Sequence, residues 1–134
     1  MMMKILKFTF AIFAIIFIFS GCAYNFLVPE EVPPTDPDNP DTPVISFATD
    51  IIPIFSNNNN CTSCHGTGGQ SPDLTAENAY NSLNSTKYIN KDNPEDSKIY
   101  KWTHPDTDSH GQKKYTNSEA AKVLIWINQG AKNN

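Results

Sequence analysis

The chain has no arginine, and its three methionines are confined to positions 1 to 3. Without arginine there is no planar guanidinium to grip phosphate or carboxylate in pairs. With fourteen acidic residues against ten lysines in 134 residues, the balance also disfavours nucleic acid and anionic membrane as partners. No thioether donor exists beyond residue 3. No internal repeat is visible, and no stretch alternates convincingly enough to be a strand. The single long apolar run, Phe8 to Phe19, is only twelve residues, about 18 Å as a helix. That is too short to cross a bilayer comfortably.

A basic start, "MMMKILK", precedes that run, and small residues follow it. This order reads as a secretory signal peptide over residues 1–21. The run ends in "FSGC", which resembles a bacterial lipoprotein signal with Phe19 where leucine is usual. The resemblance implies lipid on Cys22 and a protein anchored in the cell envelope, facing the periplasm or the surface. Cleavage after Ala23 is the alternative. Either cut leaves Cys61 and Cys64 as the free sulfurs of the folded domain, outside the cytoplasm. From residue 22 onward the chain holds eight lysines and fourteen acids, a net charge of −6. That is compatible with a basic redox partner.

Residues 22–43 hold six prolines and five acids after the cysteine. Proline stiffens the backbone and like charges repel, so this segment is expected to be an extended tether. Residues 44–134 form the expected domain, mainly α-helical. "SFATDIIPIFSNN" from Ser46 predicts a first helix with Ile51, Ile52, Ile54 and Phe55 inward. "TAENAYNSLN" predicts a second, capped by Thr75, with Ala76, Ala79, Tyr80 and Leu83 on one face. "PEDSKIYKWT" predicts a third from Pro94, with Ile99 and Trp102 inward. The fourth has the clearest signals. Thr116 and Glu119 form a capping box, Ala120, Val123, Leu124 and Ile127 make the apolar stripe, and Gly130 stops it.

The chemistry is concentrated in "CTSCH", Cys61 to His65. Two cysteines separated by two residues reach both vinyl groups of one haem, and the adjacent imidazole lies beneath its iron. On this reading Cys61 and Cys64 form thioethers and His65 is the proximal ligand of one covalent haem c. Competing readings need features that are scarce here. A thioredoxin-like pair needs a strand before it, a Cys61–Cys64 disulfide would close a tiny loop, and zinc needs further ligands, for which only His104 and His110 remain.

With these motifs, residues 47–131 resemble a small single-haem class I cytochrome c. "DIIPIFSNNNNCTSCHG", "PEDSKIYKW" and "SEAAKVLIWINQGA" match its first, middle and final helices. The resemblance implies a few helices wrapped around one haem, and a Pro72 carbonyl holding the proximal histidine. It also implies a pocket drawn from Phe55, Tyr80, Leu83, Ile99, Trp102, Leu124 and Ile127, with Lys113, Lys114 or Tyr115 near the propionates. The family's usual distal methionine is missing. His110 stands close to its place, and His104 is the alternative. The implied function is a membrane-tethered carrier of single electrons with bis-histidine iron and a redox partner protein in the envelope. A five-coordinate haem enzyme or ligand sensor of peroxidase-like kind is the competing function.

Overall fold

A computed structural model describes residues 31–134. The expected signal segment, Cys22 and the first part of the expected tether lie outside the described residues. Among those described, the only regular elements are helices.

The first is not one uniform helix. Phe47–Ile51 winds as a wide π turn, Ile52–Ser56 continues as α1, and Asn57–Asn59 tightens into a 3-10 turn. Pro53, which has no N–H to give, falls in the first turn of α1, where none is needed. Ser46 caps the entry by accepting from the backbone N–H of Thr49. Asn58 takes a left-handed φ of 54°, which ends the helix and swings the chain toward Cys61.

The second helix is shorter than its sequence pattern. α2 spans only Ala79–Leu83. Thr75 is not a free cap: its hydroxyl and its N–H both go to Asp73 Oδ1, at 2.7 and 3.0 Å. Ala79 and Leu83 are buried as expected, but Ala76 is exposed. Pro94–Asp96 form a 3-10 turn, and α3 spans Lys98–Lys101. Ile99 is buried there, whereas Trp102 is 47% exposed, which corrects its expected inward placement. Its ring instead lies under the Lys98 ammonium, 5.0 Å from the ring centre.

α4, Asn117–Asn128, is the organising element. Its capping box closes at both ends: Glu119 N–H donates to Thr116 Oγ1 at 3.2 Å and Thr116 N–H to Glu119 Oε2 at 2.8 Å. Gly130 follows with φ 96°, a conformation that suits glycine. From Ala120 to Ile127 every residue but Lys122 is buried, a wider face than the expected stripe. α4 packs against the π turn, the 3-10 turn at Pro94 and α3. Phe47 joins these layers, its ring 5.1 Å from Trp126 and 5.4 Å from Tyr80.

Residues of the expected tether also meet the helices. Gln129 donates to Pro43 O at 2.8 Å and accepts from Ile45 N–H at 3.0 Å. Asp36 to Thr42 fold into hydrogen-bonded turns rather than a uniformly extended strand. Thr35 to Pro37 border a cleft whose far wall is Asn93 to Asp96, Leu124 and Asn128.

Candidate haem site

Cys61 is reached from α1 by two hooks. Its N–H and that of Thr62 both donate to Phe55 O, at 2.8 and 3.3 Å. Asn60 adds a third by donating to Ile54 O at 3.1 Å. From there "CTSCH" makes a single turn: Cys61 O accepts from Cys64 N–H at 3.1 Å and His65 N–H at 2.9 Å. This turn presents two sulfurs and one imidazole from five consecutive residues. The loop that follows closes so tightly that a Cβ on Gly69 would fall 2.5 Å from Cys64 O. Only glycine fits there without moving backbone.

His65 is held at both ends. Its carbonyl accepts from Leu74 N–H at 2.7 Å. Its Nδ1 lies 3.1 Å from Pro72 O and 3.1 Å from Gln70 O. Both partners are acceptors, so Nδ1 carries the ring proton and Nε2 keeps its lone pair for a metal. The Pro72 carbonyl stands where the resemblance placed it; the Gln70 carbonyl carried no sequence signal.

Opposite His65 stands His110, with ring centres 6.1 Å apart and planes tilted by 30°. His110 Nδ1 is buried and has no hydrogen-bond partner. Two metal–imidazole bonds of about 2 Å, plus the half-width of each ring, span roughly 6 Å, which is close to the separation of this pair. His104 is engaged elsewhere. Its ring packs edge-on to Tyr100 at 5.2 Å, and its Nδ1 accepts from Asp106 N–H at 3.2 Å.

The two thiols differ. Cys64 is exposed and Cys61 half-buried, and they are not joined. Burial pushes the Cys61 thiol up to about 11, helped by the Glu119 charge and opposed by Lys113. A thioredoxin-like pair sits behind a strand, and among the described residues only helices precede the motif. The zinc reading fares no better: among the described residues no cluster of three or more His, Cys, Asp or Glu side chains could hold a metal. Two unjoined thiols beside a pair of neighbouring imidazoles fit a haem that supplies its own four nitrogens.

Of the proposed pocket, Phe55, Leu83, Ile99, Leu124 and Ile127 are buried and Tyr80 half-buried, while Trp102 is turned out. Tyr115 is buried and hydrogen-bonded to the Thr103 side chain, with its hydroxyl pushed well above the usual range by burial. Lys114 is paired with Asp108 at 3.0 Å, whereas Lys113 lies near enough to Cys61 to act on its charge.

A helical fold among the described residues, with a CxxCH turn and a second imidazole beside it, is the pattern of a c-type haem protein. The chain belongs to the cytochrome c family, whose model matches residues 54–131. It is a haem-binding electron-transfer protein, and its cofactor is covalent haem c with its iron. No curated protein and no solved structure gives a significant match to this chain.

Proposed function

We propose that this cytochrome is a lipid-tethered carrier of single electrons in the cell envelope, with His65 and His110 as its two axial histidines. The observation that carries the axial assignment is the facing of the two imidazoles at 6.1 Å, directly after the CxxC turn. Haem c supplies the one-electron couple of its iron. Cys61 and Cys64 hold it through thioethers, so it cannot be lost in an open compartment. His65 is oriented by the carbonyls of Pro72 and Gln70, which fix its tautomer and strengthen Nε2 as a donor. His110 closes the other side in place of methionine. Imidazole is the harder donor and lowers the reduction potential relative to methionine. The buried side chains of α1 and α4 exclude water from one side of the site. Cys22 carries lipid, residues 23–43 give the domain reach, and a basic protein in the envelope is the exchange partner. No helix among the described residues is long and apolar enough to cross a membrane.

The test is the absorption spectrum of full-length protein made in cells that attach haem c, recorded oxidised and reduced and after denaturing extraction. Low-spin bands with haem retained in the protein fraction support the carrier. High-spin bands would replace it with the five-coordinate enzyme or sensor. Extractable haem would remove the thioether roles of Cys61 and Cys64.

A further inference from the structure

One carboxylate beside the site takes no part in ligation yet ties the haem loop to the turn before α2. Asp73 Oδ1 accepts from the Thr75 hydroxyl at 2.7 Å and from Thr75 N–H at 3.0 Å. Its Oδ2 accepts from Asn78 Nδ2 at 3.0 Å, and that same amide reaches Thr67 Oγ1 at 3.3 Å. Thr67 lies two residues beyond His65, inside the haem loop. Thr75 and Asn78 lie in the turn that leads into α2.

The backbone on either side of this carboxylate grips His65. Pro72 O lies 3.1 Å from Nδ1, and Leu74 N–H donates to the His65 carbonyl at 2.7 Å. The residue between the two grips is the one tied into the Thr67–Asn78–Thr75 brace. These donors, the Thr75 hydroxyl first, hold the Asp73 carboxyl down at about 2, so it is charged throughout the neutral range.

We propose that Asp73 is a positioning residue that sets the reduction potential by holding the Pro72 carbonyl against Nδ1 of His65. The proposal rests on His65 being the proximal ligand. The chemistry runs through one proton. A carbonyl held well on Nδ1–H draws that proton away from the ring, raises the basicity of Nε2 and favours the ferric state. If the brace loosens, Pro72 drifts. The proton is then left to Gln70 O, which is held separately by the Gln70 N–H to Cys64 O bond of 2.9 Å. Nε2 becomes a poorer donor, the ring turns, and the potential rises.

Removing a negative charge near the iron also raises the potential, so the variants must separate position from charge. Asp73→Ala removes both. Asp73→Asn removes the charge but keeps an oxygen for Thr75. Asn78→Ala removes one strut with no change of charge. The measurements are the midpoint potential, the low-spin g-values, which report ring orientation, and the chemical shift of the His65 Nδ1 proton. Asp73→Ala is expected to move the one-electron equilibrium about tenfold, or about 59 mV upward. Asn78→Ala should shift it the same way by less, and both should move the g-values and the Nδ1 proton. Asp73→Asn should move the potential less than Asp73→Ala. Equal shifts in the two Asp73 variants with unchanged g-values would show charge alone and overturn the proposal. So would an unaltered potential in Asn78→Ala, which decides the matter if Asp73→Ala fails to fold. A parent protein without low-spin covalent haem removes the axial reading beneath it, whereas a low-spin parent indifferent to these changes refutes this proposal alone.

Discussion

The two neighbouring histidines differ in their hydrogen bonding. His65 has two carbonyls on Nδ1, while His110 Nδ1 is buried with no partner. A metal-bound histidine usually gives its second N–H to an acceptor, and losing that acceptor weakens the ligand. Of the proposed axial pair, only His65 shows such an acceptor. His110→Ala should convert low-spin bands to high-spin and make cyanide binding fast, with haem still retained by Cys61 and Cys64. His104→Ala should leave the spectrum as it was. A spectral change in the second variant and none in the first would exchange their roles. Asp73 gives a prediction in pH. Its folded value of about 2 lies below its ordinary 3.8. Stability from this brace is thus full above pH 4 and is lost as pH falls from about 4 through 2. Acid unfolding followed by circular dichroism should be less steep over that window in Asp73→Ala than in the parent.

At the scale of the element, α4 carries the fold and α2 does little by itself. α4 has twelve residues, both halves of a capping box and a buried face that includes Trp126. α2 has five residues, its N-cap Asn78 makes no side-chain cap bond, and Thr75, expected as the cap, is bonded to Asp73. Isolated helices this short do not persist in water, so α2 depends on its packing and on the brace. Thr116→Ala removes the cap of the dominant helix and should cost about 1 kcal/mol in denaturant unfolding. A loss near zero would mean that packing alone sets where α4 begins. The first helix shows how one segment serves two purposes. Its π turn broadens the face that meets α4, and its last residues break off at Asn58 so that Phe55 O is free to hold Cys61.

For the molecule as a whole, the proposed function makes predictions about charge and attachment. From residue 22 onward the net charge is −6, carried without a single arginine. Encounter with a basic partner would therefore be steered over about one Debye length, roughly 8 Å at physiological salt. Electron exchange with such a partner should slow as ionic strength rises; a rate indifferent to salt would point to a neutral docking face. Cys22→Ala should move the protein from the membrane fraction to the soluble one, and continued membrane association would remove the lipid from the account. The turns between Asp36 and Thr42, and the Gln129 bonds to Pro43 and Ile45, shorten the reach that proline content alone suggests.

What the sequence determined by itself was whatever is local. Covalent spacing makes Cys61, Cys64 and His65 one unit, and a capping box with a glycine stop marks α4 within a few residues. The missing methionine is legible too, because an absence needs no structure to be seen. Tertiary structure alone decided the pairings across distance. His110 rather than His104 faces His65, although both are loop histidines among charged neighbours, because Tyr100 and the Asp106 N–H hold His104 aside. Trp102 turned outward against its pattern, and Ala76 fell outside a helix that began three residues after it. The Asp73 brace was invisible for the same reason. Its partners at positions 67, 75 and 78 are ordinary turn residues, and only the folded loop brings their donors onto one carboxylate.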